Sequence, residues 1–291
     1  MTSDPTQPFT PPAPAPAPAP ARRARRAPRA LALAAALVAA GAGTALGGPA
    51  AGASPAPERA TAECAVDGFC EDFEGLPVGE PSGRWAVEAR DCSGTGTATV
   101  AAGTGRDGGQ ALRIDGADGY CNHVFAATEL ADVATSTGLY VRFWVRHTTE
   151  LPAQHVTFLA LEDVADNSRD LRMGGQNGAL QWNRESDDAT LPAQSPAGVA
   201  LSAPLPVTEW SCVEFALDGP NGLLETWLDG ELVEGLVVDG EPTHDVDQQW
   251  LSRGAWAPEV VDLRLGWESY GQGADTLWYD DLAVGTTRTG C

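Results

Sequence analysis

The chain has 291 residues, is 43% hydrophobic with nine Trp, and carries a formal net charge of -22 from 18 basic and 40 acidic side chains. Every basic residue is Arg, because the sequence holds no Lys. So acidic a balance excludes a nucleic-acid protein that works through phosphate contacts and opposes adhesion to an anionic membrane, while the apolar content excludes a chain disordered throughout.

In chain order, residues 5–20 are rich in Pro and Ala and favour extended polyproline II. Arg22, Arg23, Arg25, Arg26 and Arg29 follow, then the apolar run Ala30–Ala42, then small residues to Ala53. A basic region, a short apolar stretch and the site Ala51-Gly52-Ala53 predict a secretory signal over 1–53, with cleavage after Ala62 as the alternative. The apolar run falls short of the ~20 residues of a membrane span, so the processed protein is expected off the membrane and extracellular, with an uncleaved anchor as the other reading. Residues 54–63 read as a linker and 64–291 as one domain, which is more acidic still once the signal's arginines are gone.

All six cysteines, Cys64, Cys70, Cys92, Cys121, Cys212 and Cys291, follow the signal. An even count in an exported chain predicts disulfides. Sequence proximity suggests Cys64–Cys70 and Cys92–Cys121, which leaves Cys212–Cys291. Zinc is the alternative, but no Cys-x-x-Cys pair occurs.

From residue 64 onward, short alternating stretches are separated by Gly, Asp, Asn and Pro. Along Tyr140–Arg146, Val141, Phe143 and Val145 fall on one face and Tyr140, Arg142, Trp144 and Arg146 on the other, the period of a half-buried strand. Similar strands are predicted over His155–Leu161, Leu180–Glu185, Cys212–Leu217, Leu223–Leu228, Val260–Trp267 and Leu277–Val284, with an Asp229-Gly230 hairpin turn. No segment has a helical period and no repeat is found, so an all-β sandwich or closed barrel is expected, with one sandwich the economical choice.

Glu71-Asp-Phe-Glu-Gly75, Trp227-Leu-Asp-Gly230 and Tyr279-Asp-Asp-Leu-Ala-Val284 resemble the concanavalin A-like jelly rolls. Within them, Arg169–Asp188 and Gly266-Trp-Glu-Ser-Tyr270 are similar to the secreted, cellulose-induced proteins of biomass-degrading fungi and their bacterial relatives, whose core is related to glucuronan and alginate lyases. The resemblance covers nearly all of 64–291. It implies a jelly-roll β-sandwich and often a structural calcium ion between the first and last strands, placed here on Glu74, Asp107, Gln110 and Asp280. Those residues also read as ordinary turn and edge acids and amides.

The outward face of Tyr140, Arg142, Trp144 and Arg146, joined by Trp182 and Arg184, suits a polysaccharide, because indoles stack on pyranose faces and guanidiniums bind carboxylates in a fork. Arg172 and Trp267 are expected on the same surface, although any single Trp also reads as core. The retaining-glycosidase pattern Glu-x-Asp-x-x-Glu begins at Glu185-Ser-Asp187 but meets Thr190 where its second Glu would stand, which argues against that hydrolase class. β-Elimination from a uronate needs a group to neutralise the carboxylate, a base and an acid. The residues that fit are Arg172 and Gln176 as neutralisers, His155 as base and Tyr270 as acid, a structural hydrogen bond being the other reading of His155. The alginate-lyase motifs Arg-[Ser/Thr]-Glu-Leu-Arg and Tyr-x-Lys-x-Gly-x-Tyr are absent. The expectation is a secreted, monomeric protein that engages polysaccharide, either as a lyase or as a non-catalytic binding module. Its acidic charge does not exclude an anionic sugar, because salt screens beyond ~8 Å.

Overall fold

The computed structural model describes residues 67–90, 92–271 and 273–291. The signal read over 1–53, the linker 54–63 and Cys64, with its expected bond to Cys70, lie outside the described residues. In chain order the strands are β1 (Phe69–Glu71), β2 (Ala86–Glu88), β3 (Thr97–Ala102), β4 (Gln110–Gly116), β5 (Gly119–Glu129), β6 (Leu139–His147), β7 (Val156–Asp163), β8 (Arg169–Gln176), β9 (Ala179–Arg184), β10 (Thr190–Leu191), β11 (Ser211–Asp218), β12 (Leu223–Leu228), β13 (Glu231–Leu232), β14 (Asp262–Gly271) and β15 (Asp275–Gly285). One sheet has the order β13-β12-β11-β6-β15-β4-β3, with β1 paired to β15; the other has the order β10-β9-β8-β7-β14-β5-β2. The predicted strands and the all-β jelly roll are therefore present. Asp229 and Gly230 close β12 onto β13 with φ of 51° and 88°, the left-handed pair that a tight hairpin requires.

Period two builds the core between the sheets. Val141, Phe143 and Val145 of β6 meet Leu171 and Met173 of β8 and Leu263 and Leu265 of β14 in one apolar cluster. Two side chains bridge the sheets by hydrogen bonds. The Tyr279 hydroxyl lies 2.7 Å from the Phe158 carbonyl oxygen and 3.2 Å from that of Gly266. Trp182 Nε1 donates to Thr226 Oγ1 at 2.9 Å.

Two disulfides stand where proximity and elimination suggested them, Cys92–Cys121 and Cys212–Cys291. The second fastens the last residue to β11. From there Arg288 Nε donates to the fully buried Glu214 at 2.6 Å, Gly290 N donates to the same carboxylate at 2.7 Å, and the guanidinium stacks 3.8 Å over Trp227.

Candidate active-site cleft

Because Leu263, Leu265 and Trp267 enter the core, Asp262, Arg264, Glu268 and Tyr270 of β14 point to the outer face of their sheet. Register carries that face sideways: Arg172 of β8 lies opposite Asn183 of β9 and Ala160 of β7. Only the small side chains of Thr157 and Ala160 separate β8 from β14 here, so Arg172 reaches across β7. Its Nη1 donates to Glu268 Oε1 at 2.8 Å and to Tyr270 Oη at 3.2 Å, and its Nε donates to Asn183 Oδ1 at 3.1 Å. A second ion-paired group continues the face, with Arg264 held by Asp170 and by Asp262 at 2.9 Å.

His155, Arg172, Gln176 and Tyr270 line one cleft of about 530 Å³, together with Asn183, Glu185, Asp188 and Gln194. Burial, and then the Arg172 charge, push the His155 imidazole down to about 3. Its Nε2 is shut off from solvent and has no hydrogen-bond partner. At neutral pH it is a neutral ring with an uncommitted nitrogen. Burial and the Glu268 charge push the Tyr270 phenol up, against the opposing pull of Arg172. The cleft thus holds a neutral imidazole, a protonated phenol and a guanidinium.

The remaining expected contacts are distributed differently. Trp182 is fully buried, edge-on to Phe215 with ring centroids 5.0 Å apart. Register explains the correction: Trp182 pairs with Met173 and shares its core face, whereas Asn183 pairs with Arg172 and faces the cleft. Arg184 is likewise withdrawn from the cleft, packed 4.8 Å over Trp250 and paired with Asp187 at 2.6 Å. Trp267 is core as well, its Nε1 donating to the Ala117 carbonyl at 3.1 Å.

Tyr140, Arg142, Trp144 and Arg146 do alternate outward from β6, but β6 belongs to the other sheet. They therefore form a separate surface and do not meet Arg172. There guanidiniums stack on the indoles, Arg106 at 3.8 Å over Trp144 and Arg146 at 4.4 Å over Trp278. Alternation tells which residues share a face of one strand, but not which sheet the strand joins.

Glu268, Asn183 and Gln194 were not singled out from the sequence. The signal for Glu268 was the polar alternation of Asp262, Arg264, Glu268 and Tyr270.

The four expected metal ligands gather around the turn that precedes β4. Glu74 Oε1 accepts the Gln110 backbone N–H at 2.9 Å, Asp280 Oδ2 accepts that of Arg106 at 2.8 Å, and Asp107 is the next residue of the turn. A Cβ on Gly109 would lie 1.7 Å from Glu74 Oε1, so glycine there lets the carboxylate approach. Gln110 Nε2 meets the carbonyl oxygens of Phe73, Glu74 and Leu76 at 2.9, 3.1 and 3.0 Å. Burial, then the charges of Asp281 and Glu74, push the Asp280 carboxyl up to about 6. The buried Asp280, with the exposed Glu74 and Asp107 near it and backbone carbonyls beside them, makes the oxygen-rich surroundings that a hard cation suits. Elsewhere, Cys92, Cys121 and His123 bring ligand atoms within 4.8 Å of one another, but the two sulfurs are bonded to each other.

A family model described as the Cip1-like core domain of the polysaccharide lyase-like group matches residues 72–287. A solved structure described as the cellulose induced protein Cip1 is 35% identical, with a TM-score of 0.68, and the alignment covers 77% of this chain and 99% of that one. The endo-beta-1,4-glucuronan lyase of the fungus Trichoderma reesei is 16% identical with a TM-score of 0.44, over 75% of this chain and 95% of that one. The CBM22-2 xylan-binding domain of Paenibacillus barcinonensis Xyn10C is 14% identical with a TM-score of 0.38, over 75% and 99%. Both are too distant to carry an argument. No curated protein matches the chain.

Proposed function

The chain belongs to the Cip1-like family of polysaccharide lyase-like core domains, and from that premise we propose that it cleaves a uronate-containing polysaccharide by β-elimination in the cleft around Arg172. Arg172 and Gln176 receive the uronate carboxylate, which stabilises the negative charge that builds up next to it. His155 takes the proton alpha to the carboxylate. That C–H electron pair becomes the new double bond, the pair of the glycosidic C–O bond leaves on oxygen, and Tyr270 supplies the leaving oxygen's proton. Burial, and then the Arg172 charge, hold the His155 pKa down, and a bound carboxylate offsets the second of these.

The observation that carries this reading is the meeting of four groups in one cleft, Arg172 and Gln176 beside a neutral His155 and a Tyr270 kept protonated. Its test is ultraviolet absorbance of the conjugated product during incubation with glucuronan, alginate and pectate.

A second reading, a non-catalytic polysaccharide-binding module, is favoured by one observation. Arg172 is already engaged by Glu268, Asn183 and Tyr270, and Glu185 and Asp188 add negative charge to the same cleft. That reading predicts retention on polysaccharide without product.

Glu74, Asp107, Gln110 and Asp280 would hold a structural calcium ion, which would supply a tie between the segment after β1, the turn before β4, and β15. The protein acts outside the cell as a monomer. Its two described disulfides support the compartment, and among the described residues no helix is long and apolar enough to cross a membrane.

A further inference from the structure

Tyr120 stands beside the cleft with 79% of its surface exposed, far more than a large aromatic usually shows. The backbone is built to put it there. β5 pairs with β14 through Ser269↔Asn122 and then Tyr270↔Tyr120, so Cys121 is an extra residue bulged out of the ladder. Without that bulge, alternation would send Tyr120 to the opposite face of the sheet from Tyr270. With it, the two rings are neighbours, centroids 5.9 Å apart at 66°.

Cys121 makes the bulge at φ 63°, the left-handed region that a residue with a Cβ enters only at an energetic cost. Three contacts hold it. The Cys92–Cys121 bond joins the bulge to the neighbouring loop, with Cα atoms 5.3 Å apart. Asn122 Oδ1 accepts the Thr95 N–H of that loop at 3.0 Å. His123, with Nδ1 2.8 Å from the Arg90 carbonyl oxygen, packs edge-on against Tyr270 at 5.6 Å. A strained, covalently tied segment therefore presents an open aromatic ring at the side of a cleft already lined by groups that suit a sugar acid.

We propose that Tyr120 is the stacking platform of a sugar subsite beside the cleft. It takes the apolar face of the pyranose ring next to the one whose carboxylate meets Arg172. The inference rests on the polysaccharide reading of the cleft. A tyrosine ring suits the task because it covers the C–H face of a sugar while its hydroxyl and those of the sugar stay hydrated. It is also a rigid contact that loses little rotamer freedom on binding.

Calorimetry on the full chain, with glucuronan, alginate and pectate oligomers of increasing length, tests it. Wild type, Tyr120→Ala, Tyr120→Phe and Arg172→Ala are compared, each checked for folding by circular dichroism. Tyr120→Ala is expected to weaken binding about tenfold for oligomers long enough to reach both residues, and to leave monosaccharide binding unchanged. Tyr120→Phe stays within about twofold of wild type, and Arg172→Ala weakens binding at every length. Unchanged affinity of Tyr120→Ala at every length overturns the subsite and leaves the cleft reading standing. Weakened Tyr120→Ala beside unchanged Arg172→Ala overturns the cleft reading and leaves the platform. Wild-type protein that binds none of the three polymers overturns both.

Discussion

Arg172 and Glu268 form a buried ion pair across β7, Nη1 to Oε1 at 2.8 Å, with 5% and 4% of their side chains exposed. Removing one partner strands the other charge in a poorly solvated site. Glu268→Ala is therefore expected to cost about 3 kcal/mol of stability, read from the urea midpoint at constant slope. A loss below ~1 kcal/mol, the range of an exposed pair, would contradict it.

His155 supplies a pH dependence whose sign is fixed by its direction. Its folded pKa of about 3 lies below the ordinary value of 6.5, so the unfolded chain binds the proton more tightly. Its contribution to stability is full above about pH 6.5 and falls as pH drops toward 3, by at most ~1.4 kcal/mol per pH unit, since the ring keeps some contact with water. His155→Gln is expected to flatten the denaturant midpoint over that window. An unchanged profile would count against a neutral, enclosed His155.

His147 works in the opposite sense. Its Nδ1 lies 2.9 Å from Asp275 Oδ2 and its Nε2 3.0 Å from the Leu205 carbonyl oxygen, so both ring nitrogens face acceptors and the ring is satisfied as a cation. Burial alone would lower its pKa, but the bond and charge of Asp275 and the carbonyls of Leu205 and Pro206 outweigh it and raise it. The contribution is full below about pH 6.5 and is lost as pH rises through the raised folded value. His147→Gln should cost more stability at acidic than at alkaline pH in parallel urea titrations. An equal cost at both would show that the ring is neutral in the fold.

Much of this was legible in the sequence, and the reason is local. Tyr140–Arg146 alternates because one face is core and the other is not, so its strand and its inward set could be read directly. β5 and β8 were harder. In β5, Val124, Phe125 and Ala126 are all buried, which erases alternation; in β8, Gly174 and Gly175 break the strand signal and Arg172 is a charge sunk in an ion pair. His155, Arg172, Gln176 and Tyr270 were singled out by the chemistry that β-elimination needs, together with the resemblance, and the fold brings the four into one cleft. Trp182, Arg184 and the β6 face were placed in the wrong surroundings because sheet partners and register are long-range properties that no local period carries.

Cys212–Cys291 spans 79 residues, and in the chain-entropy picture a loop of that size is worth about 4 kcal/mol. Replacing both cysteines by Ser also frees the tail whose Arg288 and Gly290 serve the buried Glu214. The variant is expected to lose at least that much, seen as a lowered thermal midpoint. A midpoint within a few degrees of wild type would mean that the tail contributes little.

Calcium should raise the melting temperature of chelator-treated protein, and Asp280→Asn should abolish the rise. Because Asp280 must be ionised to hold the ion and titrates at about 6, the stabilisation is expected to fade as pH drops below that value. A calcium-induced shift that persists in Asp280→Asn would place the ion elsewhere.

Elimination in the Arg172 cleft is open to a continuous ultraviolet assay on glucuronan, alginate and pectate. Absorbance of the unsaturated product is expected to grow with at least one polymer, at a rate that falls at least ~100-fold in His155→Ala and Tyr270→Phe proteins that remain folded. Folded, calcium-supplied wild-type protein that binds one of these polymers and yields no unsaturated product would contradict it and leave the binding module as the function.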